Sequence, residues 1–187
     1  MRIKTAAGLV ALTCAAAVAA APAAADQVPW GAGCLPVAEG ATRVATNCGA
    51  ELVEGTAIAP PEAPAVVKRV IAAANRIDET PYVWGGGHRS FYDSRGYDCS
   101  GAVGYALHGG GLLATTMVSG QLAKWGEPGP GRWISIYAND EHVFMVVAGL
   151  RFDTRSNPIG IRGPRWKMAS AEASILPRFR VRHPMGL

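Results

Sequence analysis

Tyr97-Asp98-Cys99-Ser100-Gly101 is the stretch on which the fold turns. A loop rich in glycine precedes it, and the apolar run from Cys99 to Leu107 follows it and stops at Gly109-Gly110-Gly111. This spacing predicts a buried helix that begins at the cysteine. Asp98 is its N-cap, because a carboxylate there accepts from the first free amides, and the glycines are its C-terminal stop. A thiol at such a position feels the positive end of the backbone dipole, which favours the nucleophilic thiolate. Cys99 is therefore the candidate nucleophile. The competing reading is a buried structural cysteine, since free cysteines are among the most buried residues.

Working outward, Val66, Val67, Val70, Ile71, Ala74 and Ile77 recur at helical spacing, with Lys68, Arg69, Asn75 and Arg76 on the other side. An amphipathic helix is expected there, ended by Thr80-Pro81. Tyr82-Val83-Trp84 then leads into Gly85-Gly86-Gly87, where the backbone can pass close to a neighbour. Beyond Cys99, residues 112–125 are expected to hold another short helix, and Glu127-Pro128-Gly129-Pro130-Gly131 reads as a turn-rich break. Trp133–Tyr137, His142–Ala148 and Leu150–Thr154 are rich in β-branched and aromatic residues. Asn139-Asp140 and Gly149 separate them, so an antiparallel meander is predicted, with a last strand over Arg178–His183. Helices first and antiparallel strands afterwards give an α+β fold.

Cysteine nucleophiles need a base and usually a third group that orients it. Of four histidines, His88 lies in the glycine loop, His108 at a helix end and His183 near the C-terminus. His142 opens the most apolar strand, where a polar side chain is otherwise unwelcome. It is the candidate base.

The N-terminal segment carries a different message. Arg2 and Lys4 precede the apolar run Ala6–Ala20, and Ala23-Ala24-Ala25 offers a small-residue cleavage site, so residues 1–25 are read as a secretory signal peptide. The run is short and Ala-dominated for a membrane span, and no stable membrane insertion is expected after cleavage. Processing removes two basic residues and no acidic one from a chain of formal net charge +4. That mild basicity suits loose contact with anionic envelope polymers, and no Lys/Arg run or base-stacking motif points to nucleic acid. Cys34, Cys48 and Cys99 remain after processing. An odd count in an oxidising compartment suggests one bridge and one free thiol. Cys34 and Cys48 share one segment, so they are expected to pair and leave Cys99 free. Residues 26–64 are read as an irregular, disulfide-clipped extension ending in a stiff Pro-rich linker. At 187 residues the chain holds one ordinary domain, residues 65–187, beyond this extension.

Pro81-Tyr82-Val83-Trp84-Gly85-Gly86, Asp98-Cys99-Ser100-Gly101, Ser119-Gly120-Gln121 and His142-Val143, in that order, resemble the NlpC-type cell-wall cysteine peptidases. The resemblance covers roughly residues 65–160 and is carried by the Tyr-x-Trp-Gly-Gly and Asp-Cys-Ser-Gly pair. It implies a papain-like fold, with a helix bearing the nucleophile packed on an antiparallel sheet bearing the histidine. It further implies a secreted or envelope-located bacterial hydrolase that cleaves amide bonds in peptidoglycan stem peptides. Cys99 matches the nucleophile, His142 the base and Asp153, within about one residue, the third polar group on the following strand. Tyr82, Trp84, Asp98 and Ser100 match positions lining the substrate site. No cofactor is implied, no metal-ligand spacing is present, and a monomer is expected. The same thioester chemistry also serves acyltransferases and amidases, and a non-catalytic wall-binding module is the reading from another class.

Two departures from the family pattern bear on the substrate. Pro130-Gly131-Arg132-Trp133 lacks the aspartate of the usual Pro-Gly-Asp-Leu segment. Phe144 stands where glycine is usual, and a large ring there would narrow the groove. Gly163-Pro164-Arg165-Trp166 has no counterpart; Trp166 is read as packed on the sheet edge, the alternative being a contact to anionic glycan.

Overall fold

Helix α1, Ala65–Ile77, turns Val67, Val70, Ile71, Ala74 and Ile77 inward, as the helical spacing requires. The structure is a computed structural model that describes residues 36–39, 43–46, 49–92, 95–155, 163–169 and 176–187. Helix α2, Cys99–Gly110, packs along α1. It is buried over most of its length, which fits the small and apolar residues between Ser100 and Leu107. Gly111 ends it in a left-handed conformation, its N–H bonded back to the His108 carbonyl. A short third helix, α3, spans Ser119–Leu122.

The chain is α+β. Among the described residues ten strands form two antiparallel sheets: β1 (Pro36–Glu39), β2 (Arg43–Thr46), β3 (Glu51–Val53) and β4 (Thr56–Ile58) make one, in chain order. The other has the order β5-β10-β6-β7-β8-β9, from Glu127–Pro128, Arg180–His183, Ile134–Ala138, Val143–Val147, Leu150–Asp153 and Arg165–Met168 respectively. The predicted meander is β6-β7-β8. Its period-2 pattern places Val143, Met145 and Val147 in the main core with α1 and α2, and Phe144 and Val146 in a second cluster with Tyr137. The β7–β8 connection is a two-residue turn, Ala148-Gly149, with φ of 47° and 87°. Positive φ at both positions suits the right-handed twist of the flanking strands, and glycine takes the second without steric cost. Among the described residues no helix is long and apolar enough to cross a membrane.

The extension departs from its expected irregularity: β1 to β4 form an antiparallel meander, with a register shift between Pro36 and Ala38. These strands are only three or four residues long and carry Gly, Ala and Pro between them, so alternation was too brief to register. Cys34 and Cys48, the expected bridge, and the signal peptide lie outside the described residues.

Asn75 joins the two sheets across α1. Its Oδ1 accepts from the Ala57 N–H of β4 (3.2 Å) and from Trp166 Nε1 of β9 (2.7 Å), and its Nδ2 donates to the Ala57 carbonyl (2.9 Å). The sequence pattern put Asn75 on the solvent side of α1; it instead pairs with a strand edge as a neighbouring strand would. Trp166 packs on Phe152 at 4.9 Å and is buried, as the sheet-edge reading expected. Replacing Asn75 by Leu strands three polar groups, so Asn75→Leu is expected to destabilise the fold by about 3 kcal/mol. A denaturant melt measures this, and a loss below about 0.5 kcal/mol would mean that β4 is held by other contacts.

Candidate active site

Asp98 adopts the extended backbone of an N-cap and its Oδ1 accepts from Gly101 N at 2.8 Å, so Cys99 is the first residue of α2. The glycine loop fixes this turn from outside. A Cβ on Gly101 would lie 2.0 Å from the Gly86 carbonyl oxygen, and Asp98 N donates to the same carbonyl at 3.3 Å. Only glycine permits that approach, which accounts for both the Gly-Gly motif and the glycine two residues after the cysteine. Cys99 is free and partly exposed.

His142 precedes β7 and is 3% exposed. Asn139 sets its backbone: Asn139 Oδ1 accepts from the N–H groups of Glu141 (2.9 Å) and His142 (2.8 Å), while Asn139 N donates to the His142 carbonyl (2.9 Å). The imidazole Nε2 lies 2.9 Å from Asp153 Oδ1 on β8. Asp153 is 2% exposed. With Nε2–H given to the carboxylate, Nδ1 keeps the lone pair, and the ring is also within hydrogen-bonding reach of Cys99. Cys99, His142 and Asp153 thus come together from α2, the residue before β7, and β8.

Burial works against an imidazolium here, yet the hydrogen bonds and charges of Asp153 and Cys99 outweigh it and raise the His142 pKa above its ordinary 6.5. Burial likewise raises the Asp153 carboxyl, but His142, Arg151 and Lys167 overcome that and hold it below its ordinary 3.8. A buried carboxylate facing cations is the arrangement that keeps an imidazole in one tautomer and supports its charged form.

Arg151 was not among the sequence candidates. Its Nε donates to Asp153 Oδ2 at 2.9 Å and its Nη2 makes a second, short bond to the same oxygen. Its guanidinium lies 3.8 Å from the centroid of Phe144. The signal was the i, i+2 spacing of Arg151 and Asp153 on one strand, which puts both on one face. Phe144 corrects an expectation: it does not narrow a groove. It is fully buried, stacks on Tyr137 at 4.9 Å and forms, with Phe179, the apolar wall beside His142. The alternation that brings His142 to Asp153 also carries Phe144 onto that face.

Of the residues expected around a substrate, Asp98 and Ser100 are buried at the α2 turn, and Tyr82 forms a parallel bridge with Tyr97. Trp84 is 86% exposed on the loop that abuts α2. His108 and His183 have structural partners, His108 the Leu113 carbonyl and the Phe91 ring, His183 the Gly129 carbonyl and Glu127. Among the described residues, no group of three His, Cys, Asp or Glu side chains is placed to hold a metal ion.

The arrangement can transfer a proton from thiol to imidazole and hold the resulting charges, the requirement for covalent acyl chemistry at sulfur. Compared with protein-family models the chain has no match, and compared with curated proteins it has none either.

Proposed function

We propose that the protein is an exported, papain-like cysteine hydrolase of the NlpC type that cleaves amide bonds in peptidoglycan stem peptides. The observation that carries this reading is the continuous line Cys99, His142, Asp153, in which a free thiol meets an imidazole backed by a buried carboxylate. The motif resemblance supplies the substrate class, and the leader-like residues 1–25 supply the route to the wall.

In the proposed cycle His142 takes the thiol proton at Nδ1 and Cys99 Sγ attacks the scissile carbonyl. The C–N bond breaks, the amine leaves with the proton from His142, and a thioester remains. Water then gives a proton to His142 and attacks the thioester; the C–S bond breaks and the thiolate returns. Of the amides at the first turn of α2, Gly101 N is taken by the Asp98 cap, and those of Cys99 and Ser100, which precede it, are the donors available to the oxyanion.

Two measurements on the purified protein test this. Incubation with isolated cell wall is expected to release peptides bearing a new amine and a new carboxyl, with product masses raised by one water per bond cut. Products raised instead by the mass of an added amine or alcohol would replace hydrolysis by acyl transfer. Iodoacetamide is expected to alkylate Cys99 at pH 6 faster than an ordinary exposed thiol, because the His142 imidazole beside it can take the thiol proton. Labelling at the ordinary rate together with an unchanged wall would favour a non-catalytic wall-binding module.

A further inference from the structure

Gly163-Pro164-Arg165-Trp166, which the candidate site does not use, meets the end of α1. Gly163 approaches so closely that a Cβ on it would lie 2.0 Å from the Thr80 carbonyl oxygen. Glu79 N donates to the Pro164 carbonyl at 3.2 Å, and Arg165 Nη1 donates to the carbonyls of Pro164 (2.6 Å) and Thr80 (3.5 Å). These contacts lie along β9, the edge strand of its sheet. Trp166 is held twice from α1: its Nε1 by Asn75 at 2.7 Å, and its main-chain N–H by the carboxyl of Asp78, three residues further on.

Asp78 is the C-cap of α1, a poor place for an anion. Its Oδ1 is sealed from solvent and has no hydrogen-bond partner among the described residues. The helix presents the negative end of its backbone dipole there, together with carbonyls that lack intrahelical donors. Glu79 adds a second carboxylate beside it, and Arg165 from β9 is the cation set against these. That guanidinium is already engaged by the Pro164 and Thr80 carbonyls.

We propose that Asp78 is a proton-operated latch: in its neutral form it fastens the edge strand β9 to the end of α1, and on ionising it lets the strand loosen. The carboxyl titrates where such a device acts. Burial is the largest influence and, with Glu79, outweighs Arg165 and the amides of Trp166 and Glu79, lifting the pKa from 3.8 to about 6. A carboxyl raised in this way contributes stability that is complete below 3.8 and is lost as pH rises through about 6. The latch is therefore closed in mildly acid surroundings and weakened at neutrality. Its state bears on the candidate site, because β9 brings Lys167 Nζ to 3.9 Å from Asp153 Oδ2 and sets Arg165 opposite Asp153. The latch does not depend on the hydrolase reading.

Amide hydrogen exchange, followed by NMR on the full-length protein and corrected for intrinsic rates, provides the test. Asp78→Asn is the comparison, since it keeps an oxygen for the Trp166 amide and carries no charge. Between about pH 5 and about pH 7.5 the protection of the Trp166 amide is expected to fall at least about tenfold further in the wild type than in Asp78→Asn. At both pH values it is expected to stay below the protection of Ile136 on the central strand β6, which marks a local opening of β9. An equal fall in wild type and variant overturns the proposal. So does equal protection of Trp166 and Ile136, because β9 then leaves only with the whole fold. If Asp78→Asn does not fold, a carbon NMR titration of the wild-type Asp78 carboxyl decides. A midpoint near 6, matched by the loss of Trp166 protection, supports the latch; a midpoint near the ordinary 3.8, or protection that does not follow the midpoint, overturns it.

Discussion

Cys99→Ala is expected to reduce release of peptides from purified cell wall to the level of buffer, a loss of at least about ten-thousandfold. The size follows from covalent catalysis: without Sγ no thioester forms, and only positioning and oxyanion donors remain. The fold should be unaffected. Cys99 is partly exposed at the first position of α2, and the cap and close glycine contacts that hold the turn involve Asp98, Gly86 and Gly101. A melting temperature within about 2 °C of wild type is therefore expected for an exposed-edge substitution of this kind. Cys99→Ser serves as a second variant, because a hydroxyl fits the same space but is a far weaker nucleophile beside the same imidazole. Wall release above about a tenth of the wild-type rate in Cys99→Ala would remove the cysteine from the mechanism.

Asp153→Asn carries the second large effect, and it should appear in both activity and stability. The carboxylate divides its oxygens, Oδ1 to His142 Nε2 and Oδ2 to Arg151. An amide cannot satisfy both. If its oxygen stays with His142, its NH2 faces the donors of Arg151 and leaves a buried guanidinium unpaired. If it flips to suit Arg151, it donates to His142 Nε2, and the ring turns its Nδ1–H towards the thiol it should deprotonate. The first outcome costs about 3 kcal/mol, as breaking one side of a buried pair does. The second costs about ten-thousandfold in turnover, as expected for the wrong tautomer. Arg151→Met in the Asp153→Asn background should recover part of the stability and none of the activity. Retention of more than about a third of the activity in Asp153→Asn would exclude Asp153 from the catalytic line.

The pH dependence of stability follows in part from two groups of this line. Asp153 is held below its ordinary 3.8, so its contribution is complete above that value and is lost as pH falls through the lower, folded value. His142 is raised above its ordinary 6.5, so its contribution is complete below 6.5 and fades as pH rises through the higher, folded value. Their shared window lies between roughly pH 4 and 6.5, and Asp153→Asn should flatten both sides of it in a series of thermal melts.

The parts of the fold that could be read from sequence are those where burial imposes a period. Helix α1 shows its buried stripe, α2 has a polar cap before it and glycines after it, and β6 to β8 alternate over enough residues to declare a face. The same alternation made His142 conspicuous, because a titratable ring at the mouth of an apolar strand needs a reason. What escaped notice depends on contacts between distant segments. Asn75 looks like a solvent residue until β4 lies beside it, and Arg151 looks like an edge cation until Phe144 and Asp153 enclose it. His88, whose Nε2 lies 3.0 Å from both carboxylate oxygens of Asp98, could not be paired with it without knowing that the glycine loop folds back onto the first turn of α2.

The Ala148-Gly149 turn has a bearing on the proposed catalysis that its position hides. It fixes which residue of β8 stands opposite each residue of β7: Val147 faces Leu150 and Met145 faces Phe152. Counting on from these pairs brings Asp153 opposite Phe144 and places His142 diagonally beside it. A slip of one residue would send the carboxylate to the other side of the sheet. The turn is therefore a spacer gauge for proton transfer. A single residue inserted between Ala148 and Gly149 should abolish the proposed activity while Cys99, His142 and Asp153 remain chemically intact.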